Sequence, residues 1–103
     1  MRVGGSPPVN RLCLSAVLAQ VAAPRYTPAG IPVIDVWFEH ASQQEEAGQV
    51  RTVSLQLKGI AFGTVSESLS RQPLGAPLEA SGFLTNTRNG KGVVFHIQDF
   101  KPI

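Results

Sequence analysis

A two-residue alternation of apolar and polar side chains recurs in several short segments of this chain. Residues 32–40 alternate in this way over their whole length. Such a period over a short run is typical of a β-strand with one buried face. The alternation returns at residues 51–58 and 78–85, and residues 93–100 are rich in β-branched and aromatic side chains. The chain is therefore predicted to fold mainly as β-sheet.

The segments between these strands are less regular. Residues 10–21 contain Leu, Val and Ala but no Gly or Pro, and their length suits either a long strand or a short helix. Residues 24–32 are punctuated by Pro and Gly and predict a loop, with Arg25 and Tyr26 at its start. Residues 41–48 are polar and predict a solvated connection.

Two local signals predict a helix and a turn. Thr64 and Glu67 have the spacing of a capping box, in which each side chain accepts a hydrogen bond from the other residue's backbone amide. We expect a short helix over residues 65–71. Asn89 and Gly90 lie between the last two strands and predict a tight type I′ turn.

The order of these elements predicts an all-β fold. Five strands with one short helix between strands 3 and 4 match the OB-fold, a five-stranded Greek-key barrel. The 103 residues suffice for one domain, which we assign to residues 10–103. Residues 1–9 contain two Gly and two Pro and are predicted to be a flexible tail.

Composition indicates the cellular compartment of the protein but does not identify its partner. Nine basic against seven acidic side chains give a net charge of +2, too mild to identify a polyanion ligand. Cys13 is the only cysteine and lies between two leucines, so we expect a buried, unreactive thiol in a reducing compartment. No apolar run or amino-terminal pattern predicts a membrane span or signal peptide, and a cytoplasmic protein is expected.

The sequence gives little indication of enzymatic activity. His40 and His96 fall on different predicted strands, and no ligand-type residues have the spacing of a zinc site. The triplet at residues 90–92 lacks the Ser or Thr that follows Lys in a phosphate-binding loop and reads better as a hairpin tip. We expect no catalytic residue, no metal and no cofactor.

Six short segments, taken together, are more specific than the strand pattern. They resemble, in order and nearly in spacing, the primosomal replication protein N (PriB) family, which is related to single-stranded DNA-binding proteins. The segments are Asn10-Arg11-Leu12, Leu14-Ser15, Pro28-Ala29-Gly30-Ile31-Pro32, Glu39-His40, Gln44-Glu45-Glu46-Ala47-Gly48 and Gly82-Phe83.

The resemblance implies a function. Members of the family are OB-fold homodimers that bind single-stranded DNA without sequence preference and help PriA helicase and DnaT reload the replication machinery at stalled forks. By resemblance, Arg25 matches a basic position of the first loop and Phe83 an aromatic position of the fourth strand. Arg88 and Lys91 match the basic tip of the last hairpin. These four residues are the DNA contacts that the resemblance implies.

This sequence also departs from the family pattern. Ser54 replaces a Trp that members can carry on the third strand, Ala41 replaces a basic residue, and the last hairpin is shorter with fewer lysines. Trp37 lies on the polar side of the second strand and is our own candidate to replace the lost aromatic as a stacking surface. Packing at an interface is an equal alternative for Trp37.

The other candidate residues also have ordinary structural explanations. Without the resemblance, each candidate cation, including Arg51, would be assigned to the solvated surface, which is the common case for a charged side chain. We assign Phe38, Phe95 and Phe100 to the core and Phe62 to the contact between helix and barrel. The mild charge keeps a second function open, that of a primosomal protein-interaction adaptor with little DNA affinity of its own.

Overall fold

The structure is a computed structural model that describes residues 7–103. Within that range the chain forms six strands and one short helix. The elements are β1 (Leu12–Val21), β2 (Arg25–Tyr26), β3 (Pro32–Glu46), β4 (Gln49–Phe62), α1 (Thr64–Ser70), β5 (Pro77–Asn86) and β6 (Val93–Pro102).

The five long strands close into a barrel. They pair in the order β1-β5-β6-β4-β3, and β3 pairs again with β1 to complete the ring. All of these pairings are antiparallel except β4 with β6, which are parallel over two residue pairs. The helix lies between the third and fourth long strands of the sequence. The closed barrel and the position of its helix confirm the predicted OB-fold.

The barrel interior is filled by the apolar side chains that alternation placed on one face of each strand. Phe38 and Phe95 are confirmed as core residues, with ring centroids 6.3 Å apart, and Phe100 packs against the core while only partly buried. The other large buried side chains are Leu18, Val33, Ile34, Val36, Leu69 and Leu78.

Residues 10–21, for which strand and helix were both open, contain strand β1. The side chain of Asn10 extends the pairing of β1 with β5. The Asn10 amide nitrogen donates to Leu84 O at 2.7 Å, and the Asn10 amide oxygen accepts from Leu84 N at 2.9 Å. The expectation of a buried Cys13 is wrong. Cys13 is exposed, since alternation along β1 turns it outward between half-buried Leu12 and Leu14.

The predicted loop at residues 41–48 is also wrong. Both strands continue through it as a hairpin, which we call the arm (Ala41–Ser54), and turn only at Ala47 and Gly48. These two residues have φ of 52° and 76°, as a type I′ turn requires. The arm is polar because both of its faces are exposed. It forms without a buried face because the backbone groups of each strand pair with those of the other.

Two further local predictions fail for identifiable reasons. The helix begins at Thr64, one residue early, so Gly63 is its N-cap and no side chain caps it. The capping box with Glu67 is absent. Asn89 does not have the positive φ of a type I′ turn. The last hairpin instead has a six-residue loop at 87–92, in which Gly90 N donates to Thr87 O at 2.9 Å.

The amino-terminal prediction is only partly covered by the structure. Residues 1–6 of the predicted tail at 1–9 lie outside the described residues, and Pro7 to Val9 are exposed and form no strand or helix. Across residues 7–103, no helix is long and apolar enough to cross a membrane.

Candidate nucleic-acid interface

A groove of about 640 Å³ lies on the outer surface of the barrel, over β3, β4 and β6. The loop at residues 22–31, which contains β2, contributes to one side, and the loop at 87–92 contributes to the other. The same face and the same two loops carry oligonucleotide sites in OB-folds generally. Three cations line it, Arg25, Lys58 and Arg88.

Arg25 is held in the groove by a carboxylate. Its Nη2 lies 3.0 Å from Asp35 Oδ2 and 3.2 Å from Oδ1, and its Nε donates to Oδ2 at 3.2 Å. The Arg25 side chain is still 51% exposed, so part of its guanidinium faces solvent. Asp35, which alternation placed beside Trp37 on the polar face, is therefore compensated by a neighbouring cation rather than left to repel phosphate.

Trp37 is half-buried and lies next to a cation. It pairs across the sheet with Lys58, whose Nζ is 5.8 Å from the centroid of the indole ring, within cation–π distance. The next pair along the same face is Glu39 with Gln56, joined by a hydrogen bond of 3.2 Å. Trp37 thus connects the basic groove to a polar, mildly acidic surface toward the arm.

The tip of the last hairpin continues the basic surface. A second depression, beside the groove, is lined by Lys58, Arg88 and Lys91. The Asn89 side chain orders this loop, since its Oδ1 accepts from Thr87 Oγ1 at 2.7 Å and from Lys91 N at 2.9 Å. Among residues 7–103, none of the three cations forms an ion pair within 4.0 Å, and their charges face solvent.

Three aromatic rings stack in a row across β5, β6 and β4. The Phe83 ring lies 4.8 Å from the His96 ring at an interplanar angle of 20°, and the Phe62 ring lies 5.8 Å from His96 at 22°. Burial lowers the pKa of His96 below its usual value, which favours the neutral imidazole. Phe62, assigned to the helix contact from the sequence, belongs to this surface instead and is 43% exposed.

The structure brings the five predicted site residues onto one continuous surface. Arg25 and Arg88 line the groove, and Lys91 lines the adjoining depression. Phe83 stacks on His96, which lines the groove. Trp37 contacts Lys58, which also lines the groove. Arg51, by contrast, pairs with Glu46 on the arm at 2.7 Å.

Sequence reasoning missed three residues of this surface: Lys58, Phe62 and His96. Alternation had already placed Lys58 on the polar face of its strand. The cross-strand register of β4, which joins Lys58 to Trp37, was not available from the sequence.

Across residues 7–103, no three His, Cys, Asp or Glu side chains come together in a way that could hold a metal ion.

Comparison with known proteins identifies the family. A family model described as another single-strand binding protein family matches residues 10–99. The replication restart protein PriB of Bordetella pertussis is 35% identical over 96 residues, which cover 92% of this chain and 90% of that protein. The PriB of Nitrosomonas europaea is 32% identical over 95 residues, covering 91% and 88%.

Solved structures agree. A crystal structure of PriB from Ralstonia solanacearum superposes with a TM-score of 0.84 at 34% identity, covering 92% of this chain and 98% of that one. The single-stranded DNA-binding protein of Thermus aquaticus shares the fold, with a TM-score of 0.73 at 21% identity over 92% of this chain and 50% of its own. The chain therefore belongs to the PriB family of replication restart proteins, which has the OB-fold of single-strand binding proteins.

Proposed function

We propose that this protein is a non-enzymatic accessory factor of replication restart that binds single-stranded DNA without sequence preference. In this proposal it acts in the cytoplasm and helps PriA and DnaT reload the replication machinery at stalled forks. The observation that carries the proposal is the groove, where Arg25, Lys58 and Arg88 lie around aromatic rings. Cations displace counterions from phosphates, and aromatic faces accept any base.

The experiment is a titration of fluorescent oligo-thymidine at several salt concentrations. If Arg25, Lys58, Arg88 and Lys91 each contact one phosphate, log affinity falls against log salt with a slope of about −2.8 per protomer. The affinity then drops roughly 50-fold between about 50 and 200 mM salt. A duplex of equal length serves as the control and binds more weakly, because its bases cannot reach the rings. No detectable binding of the single strand at low salt overturns the proposal.

The homodimer is part of the same proposal and is supported by an open strand edge. β1 pairs with β3 only from Val17 onward, and among the described residues no strand covers that edge from Leu12 to Ala16. A side chain bridges the gap there, since the His40 ring nitrogen Nδ1 lies 2.6 Å from Ser15 O. An uncovered edge favours pairing with a second copy. Light scattering tests this, and a monomer at micromolar concentration contradicts it.

A second function is favoured by one feature of the surface. Glu39 continues the Trp37 face toward the arm, and Glu45 lies near the tip of the arm, so these two carboxylates repel phosphate, whereas Glu46 is compensated by Arg51. The alternative is an adaptor that contacts primosomal proteins through the arm and has little DNA affinity of its own. Retained binding to PriA or DnaT, with no oligonucleotide binding at low salt, is the result that favours it.

A further inference from the structure

The tip of the last hairpin contains an asparagine that is followed by glycine. Asparagine is thermolabile, because the backbone nitrogen of the next residue can attack its side-chain carbonyl carbon. A side chain on that next residue hinders the attack, and glycine has none. The chain has three asparagines, Asn10, Asn86 and Asn89, and only Asn89 precedes a glycine. Asn89 and Gly90 are both exposed, so the water that the reaction consumes reaches them.

The hydrogen bonds of the Asn89 side chain favour this attack. Its Oδ1 accepts from Thr87 Oγ1 at 2.7 Å and from Lys91 N at 2.9 Å. Attack at the side-chain carbon moves negative charge onto Oδ1, and donors at these distances stabilise an oxygen on which charge develops. One contact acts in the opposite direction, since Gly90 N donates to Thr87 O at 2.9 Å and must lose that proton to react. Because Gly90 is exposed, water competes for this bond.

The other two asparagines are held in strand pairings and lack these features. Both polar atoms of the Asn10 side chain are bound to the Leu84 backbone. Asn86 pairs with Val93 in the ladder of β5 and β6, and the residue after it, Thr87, is β-branched and hinders attack. Asn10 and Asn86 are therefore internal controls for the reactivity of Asn89.

We propose that Asn89 is a deamidation site and that its product weakens DNA binding at the hairpin tip. A bond forms between Gly90 N and Asn89 Cγ, the bond from Cγ to Nδ2 breaks, and the amide proton of Gly90 leaves with Nδ2 as ammonia. The cyclic succinimide that results is opened by water to aspartate or isoaspartate. The reaction consumes water and releases ammonia, and no oxidant or reductant takes part.

Either product adds a carboxylate to the proposed DNA surface. Asn89 lines the depression beside the groove together with Lys58, Arg88 and Lys91. A negative charge at contact distance from these cations offsets their attraction for phosphate by an amount that corresponds to about fivefold in affinity. An aspartate oxygen still accepts from Thr87 Oγ1 and Lys91 N, so the loop keeps its shape. This effect rests on the proposed single-strand binding, whereas the deamidation does not.

The chemistry is tested by incubating the full chain in mildly alkaline buffer. A protease that leaves residues 87–92 in one peptide is then used, and the peptides are analysed by mass spectrometry. We expect Asn89 to convert while Asn10 and Asn86 stay intact. Thr87→Val removes the hydroxyl donor but keeps the branched shape, and is expected to slow conversion about fivefold. Conversion of Asn89 no faster than that of Asn86 overturns the site, and an undiminished rate in Thr87→Val overturns activation by the loop.

The effect on DNA is tested with Asn89→Asp, which is expected to bind oligo-thymidine about fivefold more weakly. Gln72→Glu is the matched control, since it adds the same charge beside the helix and is expected to leave affinity unchanged. Asn89→Gln is expected to keep a constant affinity during the incubation, because its longer side chain does not form the succinimide.

Two outcomes separate this effect from single-strand binding itself. If Asn89→Asp binds oligo-thymidine as tightly as the unsubstituted protein, the effect of deamidation on DNA binding is overturned while single-strand binding stands. If the unsubstituted protein binds no oligo-thymidine at low salt, single-strand binding fails and the effect on it fails too, whereas the rates of conversion still decide the deamidation site.

Discussion

The backbone of Gly82 lies so close to His96 that a β-carbon at position 82 would overlap the carbonyl oxygen of His96. The register of β5 against β6 shifts between Ser81 and Gly82, after which Gly82 pairs with Ile97 and Phe83 pairs with His96. A glycine is needed for this close approach, because any side chain would meet backbone that cannot move aside. The Gly82-Phe83 segment is thus explained by the stacking of Phe83 on His96, which the close approach of the two strands positions.

Gly82→Ala is expected to destabilise the protein by about 1 to 3 kcal/mol, because the strands must separate at the bulge. Gly92→Ala is the matched control. A β-carbon at Gly92 meets nothing within 4 Å, so this change is expected to leave stability nearly unaltered. Chemical denaturation of both variants measures the difference, and equal unfolding midpoints would show that β5 accommodates the methyl group.

Asp35 is expected to limit how strongly Arg25 attracts DNA. The carboxylate occupies two nitrogens of the guanidinium, and Asp35→Asn removes its charge while keeping the shape of the side chain. We expect tighter oligo-thymidine binding, because the positive charge of Arg25 is then no longer offset by a neighbouring carboxylate. Arg25→Ala is expected to do the opposite. Weaker binding by Asp35→Asn would show that the pair is needed to hold Arg25 in place.

The hairpin cations are expected to act through phosphate alone. Arg88→Ala and Lys91→Ala should each weaken binding equally for all base sequences and reduce the salt slope by about 0.7. Lys101→Ala is the control, since Lys101 pairs with Glu79 at 3.6 Å and lines neither the groove nor the depression beside it. An unchanged slope in the double variant of Arg88 and Lys91 would show that these side chains do not touch phosphate.

Trp37 has two possible roles that one substitution separates. If bases stack on it, oligo-thymidine quenches its fluorescence, and Trp37→Ala costs on the order of 1 to 3 kcal/mol of binding without changing the dimer. If it packs at an interface, the same substitution shifts the mass toward monomer. The position of Lys58 at 5.8 Å from the ring favours the first result. Unchanged fluorescence together with unchanged affinity would remove the stacking role.

The stability of the fold is expected to depend on pH through His96. Burial lowers the pKa of His96 in the folded chain, so the unfolded chain binds the proton more readily. Stability is therefore complete above the ordinary histidine pKa of about 6.5 and decreases as the pH falls through that value. His96→Gln is expected to have a flatter profile of melting temperature between pH 7 and 5. Superimposable profiles would show that His96 titrates as it does in the unfolded chain.

Sequence alone predicted the barrel because its strands have one buried and one solvated face. Phe38 follows directly from that period, whereas Phe95 lies in a segment that was predicted from its β-branched and aromatic residues. The outer part of the arm was missed because residues 41–50 have no buried face, so this part of the two strands carries no alternation to detect. Its turn at Ala47 and Gly48 lacks the Asn-Gly signal, which occurs instead in a longer loop.

The candidate site was predicted only where a residue type carries its own signal. Arg25, Arg88 and Lys91 were identified by charge and resemblance, and they line the groove or the depression beside it. Phe62 and His96 were missed because their contact depends on the parallel pairing of β4 with β6, which covers only two residue pairs. A strand pairing this short, between segments that are far apart in the chain, produces no periodic pattern in the sequence.

Nuclear magnetic resonance of the isotope-labelled protein, titrated with oligo-thymidine, locates the DNA-binding surface residue by residue. We predict amide shifts that cluster at Lys58, Arg88, Lys91 and His96, with little change at Glu79 and Lys101 outside the groove. Shifts that are confined to the surface around Glu79 and Lys101, or an unchanged spectrum at low salt, would contradict the assignment of this groove to single-stranded DNA.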